Sequence, residues 1–207
     1  MKVPEMPNDY VTFLINKIGL TGEAKYVDVL ATPSGEENEC FENVGNKVVS
    51  EGGQRIIGWQ IWETPYMIEA ELHAVWLTPS GAFFDVTPRK HLLNNILFIA
   101  DPNFKYDGFQ RDNIRINKTG NLLVDDYIKL AMAKFMLMNK GEKARQTGLV
   151  SFIGSDANNW ASINNLMVEI ENMLQKGQTR NSVCFCSSGK KYKQCHGQDL
   201  SFKLELI

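Results

Sequence analysis

Residues 68–88 read IEAELHAVWLTPSGAFFDVTP, and their alternation decides the fold class. Glu69, Glu71, His73, Val75 and Leu77 fall on one side of an extended segment, and Ile68, Ala70, Leu72, Ala74 and Trp76 fall on the other, the two-residue period of a strand. The second side is apolar throughout, while the first is polar at its start and apolar toward the turn. Pro79-Ser80-Gly81 supplies that turn, so the chain returns antiparallel through Phe83–Val86. A hairpin centred on Ser80 sets Val75 opposite Asp85 and makes His73 a diagonal neighbour of Asp85 on the same face.

Upstream, IIGWQIWE (56–63) reads as another strand rich in β-branched and aromatic residues. Before it, CFENVGNKVVSEGG (40–53) places Cys40, Val44 and Val48 on one helical face and stops at Gly52-Gly53, so Cys40 lies in the first turn. DYVTFLINKIG (9–19) is a helix with Val11, Leu14, Ile15 and Ile18 on one face, and YVDVLA (26–31) is a short strand. Downstream, ILFIAD (96–101) is a further strand, FKYDGFQRDNIRINKTGN (104–121) a polar connector, and residues 122–146 and 160–174 are helical. The methionines of the first of these helices read as core filler, and Gly177–Ser182 as a linker. The expected fold is α+β: an antiparallel sheet of four or five strands packed against helices, a helical extension and a small terminal module. The expected divisions are a body at 1–120, an extension at 121–180 and the module at 181–207.

With 22 Lys+Arg against 24 Asp+Glu, a net charge of −2, the 207-residue chain is neither a basic nucleic-acid coat nor an acidic disordered tail. No apolar run reaches the length of a membrane span, and MKVPEMPNDY lacks the apolar segment of a signal peptide, so a cytoplasmic location without membrane contact is expected. Three of the four cysteines fall in one short C-terminal segment, the pattern of a metal site rather than of a disulfide scaffold.

That segment, CFCSSGKKYKQCHG (184–197), contains Cys184, Cys186, Cys195 and His196. Three thiolates and an imidazole suit tetrahedral zinc, and the turn at Ser187-Ser188-Gly189 brings the second pair back to the first. Four filled positions leave none for substrate, so one structural Zn²⁺ is expected. The stretch resembles the SEC-C family, a small zinc-binding motif found at the C-terminus of the bacterial preprotein translocase motor and in many otherwise unrelated bacterial proteins. The resemblance implies a compact zinc module with Cys184, Cys186, Cys195 and His196 as ligands. The family usually has Gly at the position of Ser187. Lys190, Lys191 and Lys193 give the module a positive surface suited to an acidic protein or to ribosomal RNA.

A second constellation joins Cys40, His73 and Asp85. A thiol gains thiolate character from an imidazole, and the imidazole is oriented by a carboxylate. Cys40 would attack, His73 would serve as base and then acid, and Asp85 would orient it, with the Cys40 backbone N–H and Gln60 as donors to an oxyanion. The elements ECFENV (39–44), ELHAVW (71–76) and FDVTP (84–88) resemble the papain-like and transglutaminase-like cysteine superfamily. That resemblance implies acyl transfer or hydrolysis at a peptide, isopeptide or amide carbonyl through a thioester. Two other readings compete: a metal site on Glu69, Glu71 and His73, and a non-enzymatic adaptor that binds a protein or peptide through its body and a second partner or RNA through its zinc module. Trp59, Trp62 and Trp76 crowd the same region, at least two of them as core.

Overall fold

The computed structural model describes residues 1–145 and 150–205. The chain divides into two compact units, Met1–Lys118 and Thr119–Ile207. The first contains α1 (Asp9–Ile18), β1 (Lys25–Val29), α2 (Cys40–Glu51), β2 (Gln54–Glu63), β3 (Met67–Leu77), β4 (Phe83–Asp85), β5 (Asn95–Ala100) and β6 (Ile114–Asn117). Asn8 caps α1 by accepting from the backbone N–H groups of Tyr10 and Val11, and Gly19, at φ +84°, ends it in the left-handed conformation that a side chain disfavours.

β2 and β3 pair antiparallel over their whole length, from Gln54 opposite Leu77 to Glu63 opposite Ile68. β2 also pairs with β5, β5 with β1, β1 with β4, and β4 with β3, which closes a five-strand ring into a barrel, with β6 added on β3. Two features differ from the expected sheet. The β1–β4 pair is parallel, with Asp28 opposite Phe84, and β6 forms within the stretch read as a connector. Both depend on long-range partners: Ile114 and Ile116 carry only two apolar alternations, and β3 supplies the edge that makes them a strand. The wall of the barrel is incomplete beside β3, because β4 pairs only with Trp76 and Leu77 and β6 only with Met67–Ala70.

Helix α1 buries Val11, Leu14 and Ile15 against Trp59, Ile61, Ile68, Ala70, Leu72, Leu97 and Ile99. Helix α2 buries Cys40 and Val44 against Ala74, Trp76 and Val86. On the opposite sheet face Val27, Val75, Ile96 and Phe98 form a separate apolar cluster. At Gly58 an added Cβ would lie 2.1 Å from the Ile99 carbonyl oxygen and 2.6 Å from the Phe98 ring, so only glycine admits this strand pairing.

The second unit contains α3 (Leu122–Met138), a 3₁₀ turn (Gly141–Arg145), α4 (Gly154–Gln175), a second 3₁₀ turn (Tyr192–Gln194) and α5 (Leu200–Glu205). Leu123, Leu130, Ala133 and Leu137 of α3 pack on Ile163, Ile170 and Met173 of α4. Met132 and Met136 are exposed, contrary to the expectation that the methionines of this helix fill the core. They lie on the side of α3 away from the Leu123–Leu130–Leu137 stripe, because residues 132 and 136 fall between its members in a 3.6-residue period. Cys184, Tyr192 and Leu200 join the α3–α4 core, so the terminal motif is continuous with the helical pair and is not a freestanding tip. Among the described residues no helix is long and apolar enough to cross a membrane.

Candidate metal centre and the buried thiol cluster

The four terminal candidate ligands are gathered by a short hairpin. Val183 and Lys191 form an antiparallel bridge, and the Cys184 backbone N–H donates to the Lys190 carbonyl at 2.8 Å. Ser187, between the arms, takes φ +60°, which explains why glycine is usual at this position of the motif. Ser187→Gly should therefore raise the stability of the second unit by about 1 kcal/mol, read as a higher melting temperature of zinc-loaded protein. An unchanged or lower melting temperature would show that the serine is unstrained. Gly197 is required for a different reason: a Cβ there would lie 2.3 Å from the Tyr192 ring, and that ring is fully buried.

The four candidate ligand atoms lie within 4.8 Å of one another. Cys184 Sγ is 3.2 Å from His196 Nδ1, Cys186 Sγ is 3.5 Å from Cys195 Sγ, and Cys195 Sγ is 3.5 Å from His196 Nδ1. Zn–S bonds of about 2.3 Å at tetrahedral angles set sulfurs about 3.7 Å apart, and a disulfide would need about 2.05 Å. The cysteines are free, and the donor set and spacing fit a structural zinc ion. The Ser188 hydroxyl and backbone bring the Cys186 thiol down to about 6, whereas burial pushes Cys184 up. The set is anchored to the helices by an Arg180–Asp126 ion pair of 2.9 Å, and Arg180 donates to the Gly197 carbonyl at 2.7 Å.

In the first unit the hairpin register, with Trp76 opposite Phe84, leaves Val75 beside Asp85 and His73 two residues along. His73 Nε2 is 3.1 Å from Asp85 Oδ1. Cys40, the first residue of α2, packs against Ala74 and Val86, the residues next to His73 and Asp85, and its charge acts on the same imidazole. Burial alone would disfavour the charged ring, but Cys40 and Asp85 outweigh it and raise His73 to about 10. Burial likewise opposes ionisation of Asp85, and His73 and Arg89 overcome it, holding the carboxyl at about 2. His73 and Asp85 are therefore paired, and all three side chains are buried: Cys40 is 6% exposed, His73 4% and Asp85 0%.

Several neighbours carried no warning in the sequence. Arg89 binds Asp85 Oδ2 and the Gln60 amide oxygen, and Tyr106 stacks on Phe41 at 3.8 Å beside the thiol. Burial, then the charges of Cys40, Glu39 and Glu42, push the Tyr106 phenol up. The only signal for Arg89 was a cation four residues after Asp85; Tyr106 lies in an irregular stretch without a period. Gln60 is buried with its amide oxygen engaged by Arg89. The metal reading of Glu69, Glu71 and His73 is not supported: Glu69 pairs with Arg115 at 2.9 Å, Glu71 accepts from the Trp62 indole at 2.7 Å, and His73 faces Asp85. Among the described residues the grouping of metal-competent side chains is the terminal one. Trp59 and Trp76 are core residues, and Trp62 is half-buried under Arg89.

Residues 180–198 match the SEC-C motif, so the zinc-binding motif near the C-terminus is a sequence relationship as well as a geometric one. No solved structure matches the chain. The motif match does not extend to the barrel, and nothing ties that unit to papain-like or transglutaminase-like proteins.

Proposed function

We propose that this chain is a zinc-containing docking protein of the cytoplasm whose terminal module binds an acidic protein segment. The observation that carries this reading is the SEC-C cluster, closed by four donors, with Lys190, Lys191 and Lys193 exposed around it and no ion-pair partner for any of them among the described residues. Ribosomal RNA is the less favoured partner, because three lysines on a chain of net charge −2 make a small footprint for phosphate backbone. Replacing the three lysines with alanine should weaken binding to a Glu/Asp-rich peptide roughly ten-fold, from about 0.5 kcal/mol per exposed ion pair, and flatten its salt dependence with zinc retained. Equal affinity and salt response would remove the docking surface. Binding to ribosomal RNA with no binding to the peptide would reassign the partner.

A second reading, thiol-dependent acyl chemistry in the barrel unit, is favoured by one specific observation: His73 is hydrogen-bonded to Asp85, and Cys40 opens the helix packed on the residues next to both. In that reading Cys40 Sγ bonds to an amide carbonyl carbon, His73 gives its proton to the departing amine, and water, deprotonated by His73, then cleaves the thioester and restores the thiol. In the attack His73 is the base that takes the Cys40 thiol proton, the same proton it passes to the departing amine. Iodoacetamide should therefore label Cys40, located by peptide mass spectrometry on zinc-loaded protein, and His73→Ala should slow that labelling at least about ten-fold. Labelling that ignores His73, or a folded wild type in which Cys40 does not react, leaves the docking reading alone.

A further inference from the structure

The Asp85 carboxylate is held on both edges. Oδ1 faces His73 Nε2 at 3.1 Å and accepts from the Thr87 backbone N–H at 3.1 Å. Oδ2 accepts from Arg89 Nε at 3.2 Å and Nη2 at 2.7 Å. The torsion that sets a carboxylate plane is broad, so contacts on both oxygens are what fix it. The same Arg89 Nη2 donates to Gln60 Oε1 at 2.7 Å. That bond settles which way the amide points, since a reversed amide would turn its NH₂ toward a guanidinium. Gln60 Nε2 is consequently directed elsewhere, and it is a buried donor with no hydrogen-bond partner among the described residues. Such donors are rare in folded proteins and mark a place where an acceptor is missing. The Arg89 guanidinium also lies over the Trp62 ring, 5.4 Å from its centroid.

We propose that Arg89 is a positioning residue of the Cys40 site, one guanidinium holding both the carboxylate that orients His73 and the Gln60 amide on the neighbouring strand. The inference rests on the thiol reading above. It assigns to Arg89 a task that its charge alone does not perform, because only a planar fork reaches two Asp85 contacts and Gln60 together; a lysine ammonium offers a point charge.

The test uses the full zinc-loaded chain with Arg89→Met, Arg89→Lys and His73→Ala, each checked for its melting temperature. Two quantities are read: the iodoacetamide rate at Cys40, and the downfield NMR signal of the His73 ring proton shared with Asp85. Arg89→Met should slow labelling at least ten-fold and abolish the downfield signal. Arg89→Lys should restore the melting temperature but less than half of the labelling rate. Wild-type labelling and an intact signal in Arg89→Lys, with His73→Ala slow, would overturn the positioning role while leaving the thiol reading in place. Wild-type labelling in His73→Ala would overturn the thiol reading itself. If Arg89→Met does not fold, Arg89→Lys decides.

Discussion

Chelating the metal, or replacing Cys195 with serine, should loosen α3 and α4 as well as the loop that carries the ligands. The motif contributes Cys184, Tyr192 and Leu200 to the core that joins the two helices, and Arg180 pairs with the buried Asp126 of α3. Without zinc, three closely spaced sulfurs lose the cation that holds them together, and Tyr192 loses the frame that seats it. Metal binding in such modules is folding free energy, about 10–16 kcal/mol in isolated zinc-finger peptides. Even a fraction of that is large against the usual 5–15 kcal/mol of a whole domain. The expected loss for the second unit is more than about 3 kcal/mol. Elemental analysis should find about one zinc per chain, as expected for a closed four-ligand site. Hydrogen exchange after chelation should show lost protection in α3 and α4, with the barrel strands still protected because they have their own core. Helices that keep their protection after zinc is removed would show that the motif is only an appendage.

Replacing Asp85 with alanine should cost about 3–5 kcal/mol in the barrel unit, the usual penalty when one partner of a buried ion pair is removed. His73 would be left charged or neutral in a site built for its pairing, and Arg89 would lose its two contacts to Oδ2. The pH dependence follows from the directions of the two shifts. His73 is raised from 6.5 to about 10, so its contribution is fully present below pH 6.5 and is lost as pH rises through about 10. Asp85 is lowered from 3.8 to about 2, so its contribution is present above pH 3.8 and is lost as pH falls through about 2. Wild-type melting temperature should therefore be flat between about pH 4 and 6.5 and fall on either side. Asp85→Ala should lie lower throughout, with both limbs flattened. Parallel curves for the two proteins would mean that the pair does not carry this dependence.

Much of the local geometry around His73 and around the terminal cysteines was readable because the relevant signals are local. The alternation from Ile68 to Leu77, with a turn centred on Ser80, is enough to predict which residue of the returning strand faces Val75, and the observed register agrees. Cys40 opens α2 because the apolar period and the Gly52 stop define that helix without reference to anything else. Arg89 was not readable, since its two partners lie 4 and 29 residues away and only folding brings Gln60 and Asp85 to the same guanidinium. Tyr106 has the same explanation: its stack on Phe41 joins segments with no shared pattern.

By itself the sequence determined the α+β class, the Cys₃His grouping of a zinc-binding motif and the strand–turn–strand that aligns His73 with Asp85, because backbone period, turn chemistry and donor type are properties of residues close together in the chain. Only the tertiary structure decided that the sheet closes through a parallel β1–β4 pair, that β6 forms on the edge of β3, and that the zinc motif shares a core with α3 and α4. Those outcomes turn on sheet twist and on which distant apolar surfaces bury one another, energies that no short stretch of residues contains.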